Sequence, residues 1–219
     1  MINVFIDLET LPDQRNGAKD NIEIKAPASY KKQDSIDKWI TENGDSVRDE
    51  RWRKTALDGA KGEICVIGVS VTTIDGYSSV GAFSTRGQHE RDMLIEFWNW
   101  LSDIVGSQQW RFVAHNAKFD VPYLWHRSVV NNVKPTLWFN PHGRHGQSYY
   151  CTMEAWSGFN KYIKLDDLAF ALSVNGKTEG MDGSKVYDTW LENPQKVIDY
   201  CIDDVRVLID VYKRMEFEE

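Results

Sequence analysis

Four carboxylates in three separated segments hold the chemistry this sequence can do: Asp7 and Glu9 near the start, Asp120 mid-chain and Asp204 near the end. Asp204 is the most telling. The segment from Pro194 to about Met215 is strongly periodic, and at about 100° per residue Val197, Cys201, Val205, Leu208 and Tyr212 form one apolar arc. Ile198, Ile202 and Ile209 widen that arc, while Asp199, Asp203, Arg206, Asp210 and Lys213 lie opposite. Asp204 falls inside the apolar stripe, with Tyr200 one turn earlier on the same face. A buried carboxylate is costly unless it is paired, protonated or bound to a metal.

Residues 2–9 read as a strand that is mostly apolar on both faces, as a central buried strand should be. Asp7 and Glu9 are two apart, so both point to one side of the sheet, the side that also carries Phe5. Phe5 implies that a helix covers this face. Asp120 follows the apolar run Phe112-Val113-Ala114 through His115-Asn116-Ala117-Lys118-Phe119. Taken singly, each acid has an ordinary explanation. Asp7 and Glu9 could be strand-end polarity, and Asp204 could meet a buried cation. Asp120 could cap a helix over Val121 to Val130 that has Pro122 in its first turn. Converging together, four carboxylates repel and some must take up protons. Two divalent cations remove that conflict, and an all-oxygen shell favours Mg²⁺ or Mn²⁺ over zinc.

Asp7-Leu8-Glu9, Asn116-Ala117-Lys118-Phe119-Asp120 and Tyr200-Cys201-Ile202-Asp203-Asp204 resemble the three motifs of the DnaQ-like, or DEDD, 3′–5′ exonucleases. Tyrosine four residues before the last acid marks the DEDDy branch. The flanking Leu165-Asp166-Asp167-Leu168-Ala169 is similar to stand-alone exonucleases related to family B polymerase proofreading domains. The resemblance implies a metal-dependent enzyme that hydrolyses phosphodiesters from the 3′ end of single-stranded or frayed nucleic acid, DNA favoured, releasing nucleoside 5′-monophosphates. It implies that Asp7, Glu9 and Asp204 hold one cation, that Asp7 bridges to a second, and that Asp120 acts there. Tyr200 would orient the attacking water; a phenol with pKa about 10 is a poor base near neutrality, so it is a positioner. Thr10, Asn116 and Phe119 stand where such enzymes touch or frame the terminal nucleotide. Two rival readings are an end-binding module that does not cut and a ribonuclease H-type endonuclease. The full set of acids speaks against the first, and Tyr200 with the Asn116–Asp120 motif against the second. A proofreading role would need a separate polymerase or replication or repair protein, since these 219 residues contain no polymerase domain.

These residues need a scaffold. Glu63 to Thr73 alternates and then runs apolar, which predicts a second strand; Tyr77 to Phe83 predicts a third, after a turn at Asp75-Gly76. Gln88 to Val105 has helical spacing, and Trp98, Trp100 and Trp110 read as core. The order of elements, with the resemblance, gives an α/β protein of ribonuclease H-like type, a central mixed β-sheet flanked by α-helices. The expectation is one domain over 1–219 with a charged insertion at about 13–61. That insertion holds 11 basic and 10 acidic residues, so the net charge of −7 sits elsewhere. Its Arg48, Arg51, Arg53 and Lys54 around Trp52 suit either a strand-gripping flap or a solvated amphipathic helix. The loop 131–148 carries His142-Gly143-Arg144-His145, with Cys151 following; a zinc site there lacks a fourth ligand and the usual spacing, so it reads as substrate-facing.

A net charge of −7 argues against a protein that grips long duplexes through a basic surface, and leaves room for one that holds a few nucleotides at an end. Cys65, Cys151 and Cys201 are an odd number among apolar neighbours, as reduced core thiols of a cytoplasmic protein would be. No apolar run approaches a membrane span, and the first strand begins too early for a signal peptide.

Overall fold

A computed structural model describes residues 1–73, 76–146, 148–174 and 181–218. The chain forms two compact units, one of Met1–Glu9 with Ile64–Glu219 and the other of Thr10–Glu63. The strands are β1 (Ile2–Leu11), β2 (Glu63–Thr73), β3 (Gly76–Tyr77), β4 (Gly81–Ser84), β5 (Trp110–Ala114) and β6 (Tyr149–Cys151). The helices are α1 (Gln33–Arg53), α2 (Glu90–Val105), α3 (Ala117–Val130), α4 (Thr152–Ser157), α5 (Leu165–Ala171), α6 (Val186–Glu192) and α7 (Pro194–Met215).

The larger unit is a mixed sheet in the order β3-β2-β1-β5-β6, with β4 also pairing with β2. β5 runs parallel to both β1 and β6, whereas β3 and β4 are antiparallel to β2. β1 and β2 run in opposite directions: Asn3 N donates to Thr72 Oγ1 at 2.7 Å, and at the other end Cys65 Sγ donates to Glu9 O at 3.3 Å. This is the α/β, ribonuclease H-like architecture.

β1 is apolar on both faces because both are covered. Val4, Ile6 and Leu8 pack with Met93, Leu94 and Phe97 of α2 and with Val121 and Leu124 of α3. Phe5 faces the other way, against Val113 and against Val205, Leu208, Ile209 and Tyr212 of α7. Full burial of each such side chain contributes about 1.5–3 kcal/mol, so α7 is fixed on the sheet by several of them. A second edge of α7, Val207 and Val211, packs on Leu165, Leu168 and Ala169 of α5. Behind the sheet, buried Glu90 accepts from Arg127 Nη2 at 2.6 Å and from Ile64 N at 2.7 Å, tying α2 to α3 and β2.

Two boundaries differ from the sequence expectation. The third strand is split: Thr72 pairs with Tyr77 but Val69 with Gly81, so residues 78–80 oppose only Ser70 and Val71. That one extra residue is a β-bulge, and Ser78 Oγ fills the gap by accepting from Val71 N at 3.0 Å. Asp75 of the expected turn lies outside the described residues. The other difference is that α3 begins at Ala117, with Asn116 in the cap position, so Asp120 lies inside the helix and does not cap it.

The smaller unit is built on α1 and a buried Trp52, whose Nε1 donates to Asp13 O at 2.8 Å. Its cations are used internally: Arg48 pairs with Asp45 at 2.8 Å, Arg53 with Asp49 at 2.7 Å and Lys54 with Glu50 at 2.6 Å. Arg51 donates to Glu23 O at 2.7 Å. That pattern fits a solvated amphipathic helix. Among the described residues no helix is long and apolar enough to cross a membrane.

Candidate active site

β1 carries Asp7 and Glu9 to the face that α7 covers, in phase with Phe5. α7 meets them there. Cys201 Sγ lies 3.4 Å from Asp7 O and 3.5 Å from Asp7 Oδ2, and single ligand atoms of Asp7, Glu9 and Cys201 all lie within 4.8 Å of one another. One turn on, Asp204 is 4% exposed, within the apolar stripe of the helix. Its neighbour Asp203 is half-buried and pairs with Arg206 at 2.7 Å, as a residue on the solvated edge should. The third segment arrives from β5. Asp120 is 5% exposed, and its Oδ1 accepts from Leu8 N at 3.3 Å. Leu8 sits between Asp7 and Glu9, so the middle segment is fastened to the acidic strand itself. This bond also explains why Asp120 caps nothing: its oxygen is used across the sheet.

The site is strongly negative. Burial pushes the Asp120 carboxyl well above the usual carboxylate range, the charge of Asp7 adds to this and Asp204 adds less; N–H groups of Asp120 and Leu8 pull the other way. Tyr200 donates its hydroxyl hydrogen to Asp204, and its pKa is raised by burial first and then by Asp204, Glu9 and Asp7. The phenol therefore stays protonated. Cys201 is pushed up by burial and then by Asp7, Glu9 and Asp204, which favours a thiol donating to Asp7.

The fold thus brings together Asp7, Glu9, Asp120, Tyr200 and Asp204, which act on one another. Asn116 is exposed at the start of α3, and Phe119 is half-buried with its ring 5.1 Å from that of Tyr123. Both share the first turn of α3 with Asp120. Thr10 belongs to the smaller unit and is half-buried there. The His142, His145 and Cys151 set does not gather as ligands: His145 Nδ1 accepts from Cys151 N at 3.0 Å, and Cys151 Sγ donates to His115 O at 3.1 Å.

Two positions escape a reading of the sequence. Cys201 looks there like one more member of the apolar arc. Gly68 is the other. A Cβ at Gly68 would stand 2.9 Å from Cys201 O, Cys201 Sγ and Val205 Cγ2 alike, so only glycine lets α7 approach β2 this closely. The available signal is a glycine inside an otherwise apolar strand, which marks a bulge or a close approach of another backbone.

The carboxylates of Asp7 and Glu9, gathered with Cys201 and close enough for Asp7 and Asp204 to raise Asp120, form an acidic cluster whose oxygen donors suit a hard divalent cation. A family model described as a predicted 3′–5′ exonuclease related to the exonuclease domain of PolB matches residues 62–218. The match takes in Asp120, Tyr200 and Asp204 and begins after Asp7 and Glu9, which enter the site on geometry. No curated protein matches the chain significantly.

Proposed function

Because this chain belongs to the predicted 3′–5′ exonucleases related to the exonuclease domain of PolB, we propose that it shortens single-stranded or frayed nucleic acid from the 3′ end, DNA in preference, releasing nucleoside 5′-monophosphates. The observation that carries this reading is the bond from Leu8 N to Asp120, which draws the middle segment onto the strand of Asp7 and Glu9, under the helix of Tyr200 and Asp204. The three segments meet in one buried negative site. In this reading the 1–219 chain acts as a single exonuclease domain with an inserted charged unit.

Asp7, Glu9 and Asp204 would hold one divalent cation, and Asp7 with Asp120 a second. Bound Mg²⁺ or Mn²⁺ supplies Lewis acidity at the scissile phosphate and makes water a better nucleophile near neutrality. The protein's own groups do the positioning. Tyr200 gives its hydrogen to Asp204, which leaves its oxygen lone pairs to accept from a water and aim it at phosphorus. Burial and the neighbouring carboxylates favour that protonated donor state, which suits a positioner. The Cys201 thiol, donating to Asp7, fixes the rotamer of the carboxylate proposed to bridge the cations. Asn116 and Phe119, on the turn that carries Asp120, are assigned to the terminal nucleotide. The partners are 3′ ends of DNA or RNA and, for any proofreading role, a separate polymerase.

The test is a time course on 5′-labelled single-stranded DNA and RNA of one sequence, with Mg²⁺, Mn²⁺ or EDTA. A ladder shortening from the 3′ end, absent in EDTA and in Asp7→Ala, is the expected result. Internal cuts would make the protein an endonuclease, and binding without any cleavage would make it an end-binding module.

A further inference from the structure

Residues 158–164, between α4 and α5, read Gly158-Phe159-Asn160-Lys161-Tyr162-Ile163-Lys164. Phe159 is 69% and Tyr162 72% exposed, an unusual position for two aromatic rings of a folded domain. Lys161 and Lys164 are exposed, and neither makes an ion pair among the described residues. The segment is not a stray loop. His115 holds it at the entry to the middle catalytic motif: one ring nitrogen, Nε2, lies 2.8 Å from Ile163 O and the other, Nδ1, 2.9 Å from Thr152 Oγ1. Lys118 Nζ stands 4.1 Å from the centre of the Phe159 ring. Lys118, Pro122, Arg144, His145, Tyr149 and Phe159 line a cavity of about 680 Å³, within the usual range for small-ligand sites. Glu154 is the acid in its lining, and it is neutralised by Lys118 at 3.2 Å. Lys118 is two residues from Asp120, about 3 Å along the axis of α3.

We propose that residues 158–164, with Lys118 and Arg144, form a platform for the nucleotides adjoining the 3′ terminus of a single strand. Phe159 and Tyr162 stack on bases, while Lys161, Lys164 and Arg144 meet phosphates. Aromatic rings interleaved with unpaired cations are the recognition chemistry of single-stranded nucleic acid, because every base has a face to stack and every linkage a charge to neutralise. Charge complementarity favours this occupant over an apolar protein surface: the chain carries −7 overall, yet these cations gather beside one of its catalytic segments. The location at the 3′ end rests on the exonuclease reading; the strand binding does not.

Fluorescence anisotropy of a short 5′-fluorescein oligothymidylate, measured in EDTA, reads binding without cleavage. Phe159→Ala with Tyr162→Ala should weaken affinity by about fivefold or more per ring, with Phe159→Trp retaining it. Lys161→Gln with Lys164→Gln should lower the slope of log affinity against log salt by about 1.4, at about 0.7 for each phosphate no longer neutralised. Affinity unchanged in the ring variant would overturn the platform, as would equal affinity for a blunt duplex of the same sequence. Cleavage is scored separately: a wild-type protein that binds through these rings but produces no 3′ ladder in Mg²⁺ would support the platform and sink the exonuclease.

Discussion

Gly68→Ala is a one-carbon change outside every acidic motif, and the structure predicts that it disables the site. The added Cβ would lie 2.9 Å from a backbone oxygen and two side-chain atoms of α7. Ordinary contact begins near 3.4 Å, and neither obstacle can swing away, since Cys201 and Val205 are fully buried. α7 must therefore retreat by about 0.5–1 Å. Overpacking of this kind costs about 1–3 kcal/mol. For a domain of this size that lowers the melting temperature by roughly 2–4 °C per kcal/mol. The larger effect is on rate. α7 carries Tyr200 and Asp204, active-site geometry tolerates about 0.5 Å, and a 1 Å misplacement costs up to about a hundredfold. Initial rates on a labelled strand at saturating metal, with circular dichroism and thermal melting on the same samples, give both numbers. Val205→Ala in the same chain relieves one of the three contacts but not the backbone one, so rescue should be partial. A Gly68→Ala enzyme with a rate within about twofold of wild type and an unmoved melting temperature would refute the argument that this approach sets the site.

Asp204→Asn should lower the cleavage rate by about a thousandfold or more, because a bound cation is worth several kcal/mol at a developing charge. Asp203→Asn, at the half-buried helix edge where Asp203 meets Arg206, should cost far less than Asp204→Asn; the opposite ranking would mean the register of α7 is wrong. Tyr200→Phe removes one positioning hydrogen bond and should cost about tenfold, less than loss of an acid, as single-turnover rates would show. Arg51→Gln with Arg53→Gln should leave the substrate KM unmoved, because both side chains are engaged within the smaller unit; a raised KM would restore the strand-gripping role. Asp120 has a folded pKa raised above its unfolded value, so the metal-free protein loses stability as pH rises from about 4 through that raised pKa. Mg²⁺ or Mn²⁺ should then raise the melting temperature more at pH about 8 than at about 5.5, and an increment independent of pH would argue that Asp120 is not a ligand.

Much of this is legible in the residues because burial leaves a periodic mark. Asp204 is readable as buried only because Val197, Cys201, Val205 and Leu208 define the stripe around it, and α7 spans the expected Pro194–Met215. The central placement of β1 follows from apolar residues on both faces. Effects set by a partner element leave weaker marks. The sequence puts the start of α3 too late because Pro122 resembles a first-turn proline, yet the helix accommodates it and begins at Ala117. The bulge at residues 78–80 depends on Ser78 answering Val71 across the sheet, which no local pattern in either strand reveals. Cations of the insertion look available in the sequence, and only the fold shows that Asp45, Asp49 and Glu50 engage them. Gly68 is the extreme case: its meaning lies wholly in Cys201 and Val205, far along the chain.

Three groups on different elements report the same field. Asp120 on α3, Tyr200 on α7 and Cys201 one residue further are all pushed upward, each by burial and then by the carboxylates of Asp7, Glu9 or Asp204. A fold selected for stability alone would not hold them so; apolar residues of similar volume would pack these positions without the repulsion. The packing that opposes the repulsion is correspondingly firm, with Phe5, Leu208 and Tyr212 on one side of α7 and Leu165 and Leu168 on another. Donation from Leu8 N then fixes Asp120 at the place where its charge is least welcome. Strain of this kind persists where surrounding structure enforces it and a ligand relieves it. Divalent cations are the ligands that would relieve it for all four carboxylates at once, which a proton on Asp120 cannot do. The same excess of negative charge that lowers the stability of the bare fold is what would give the cations their affinity.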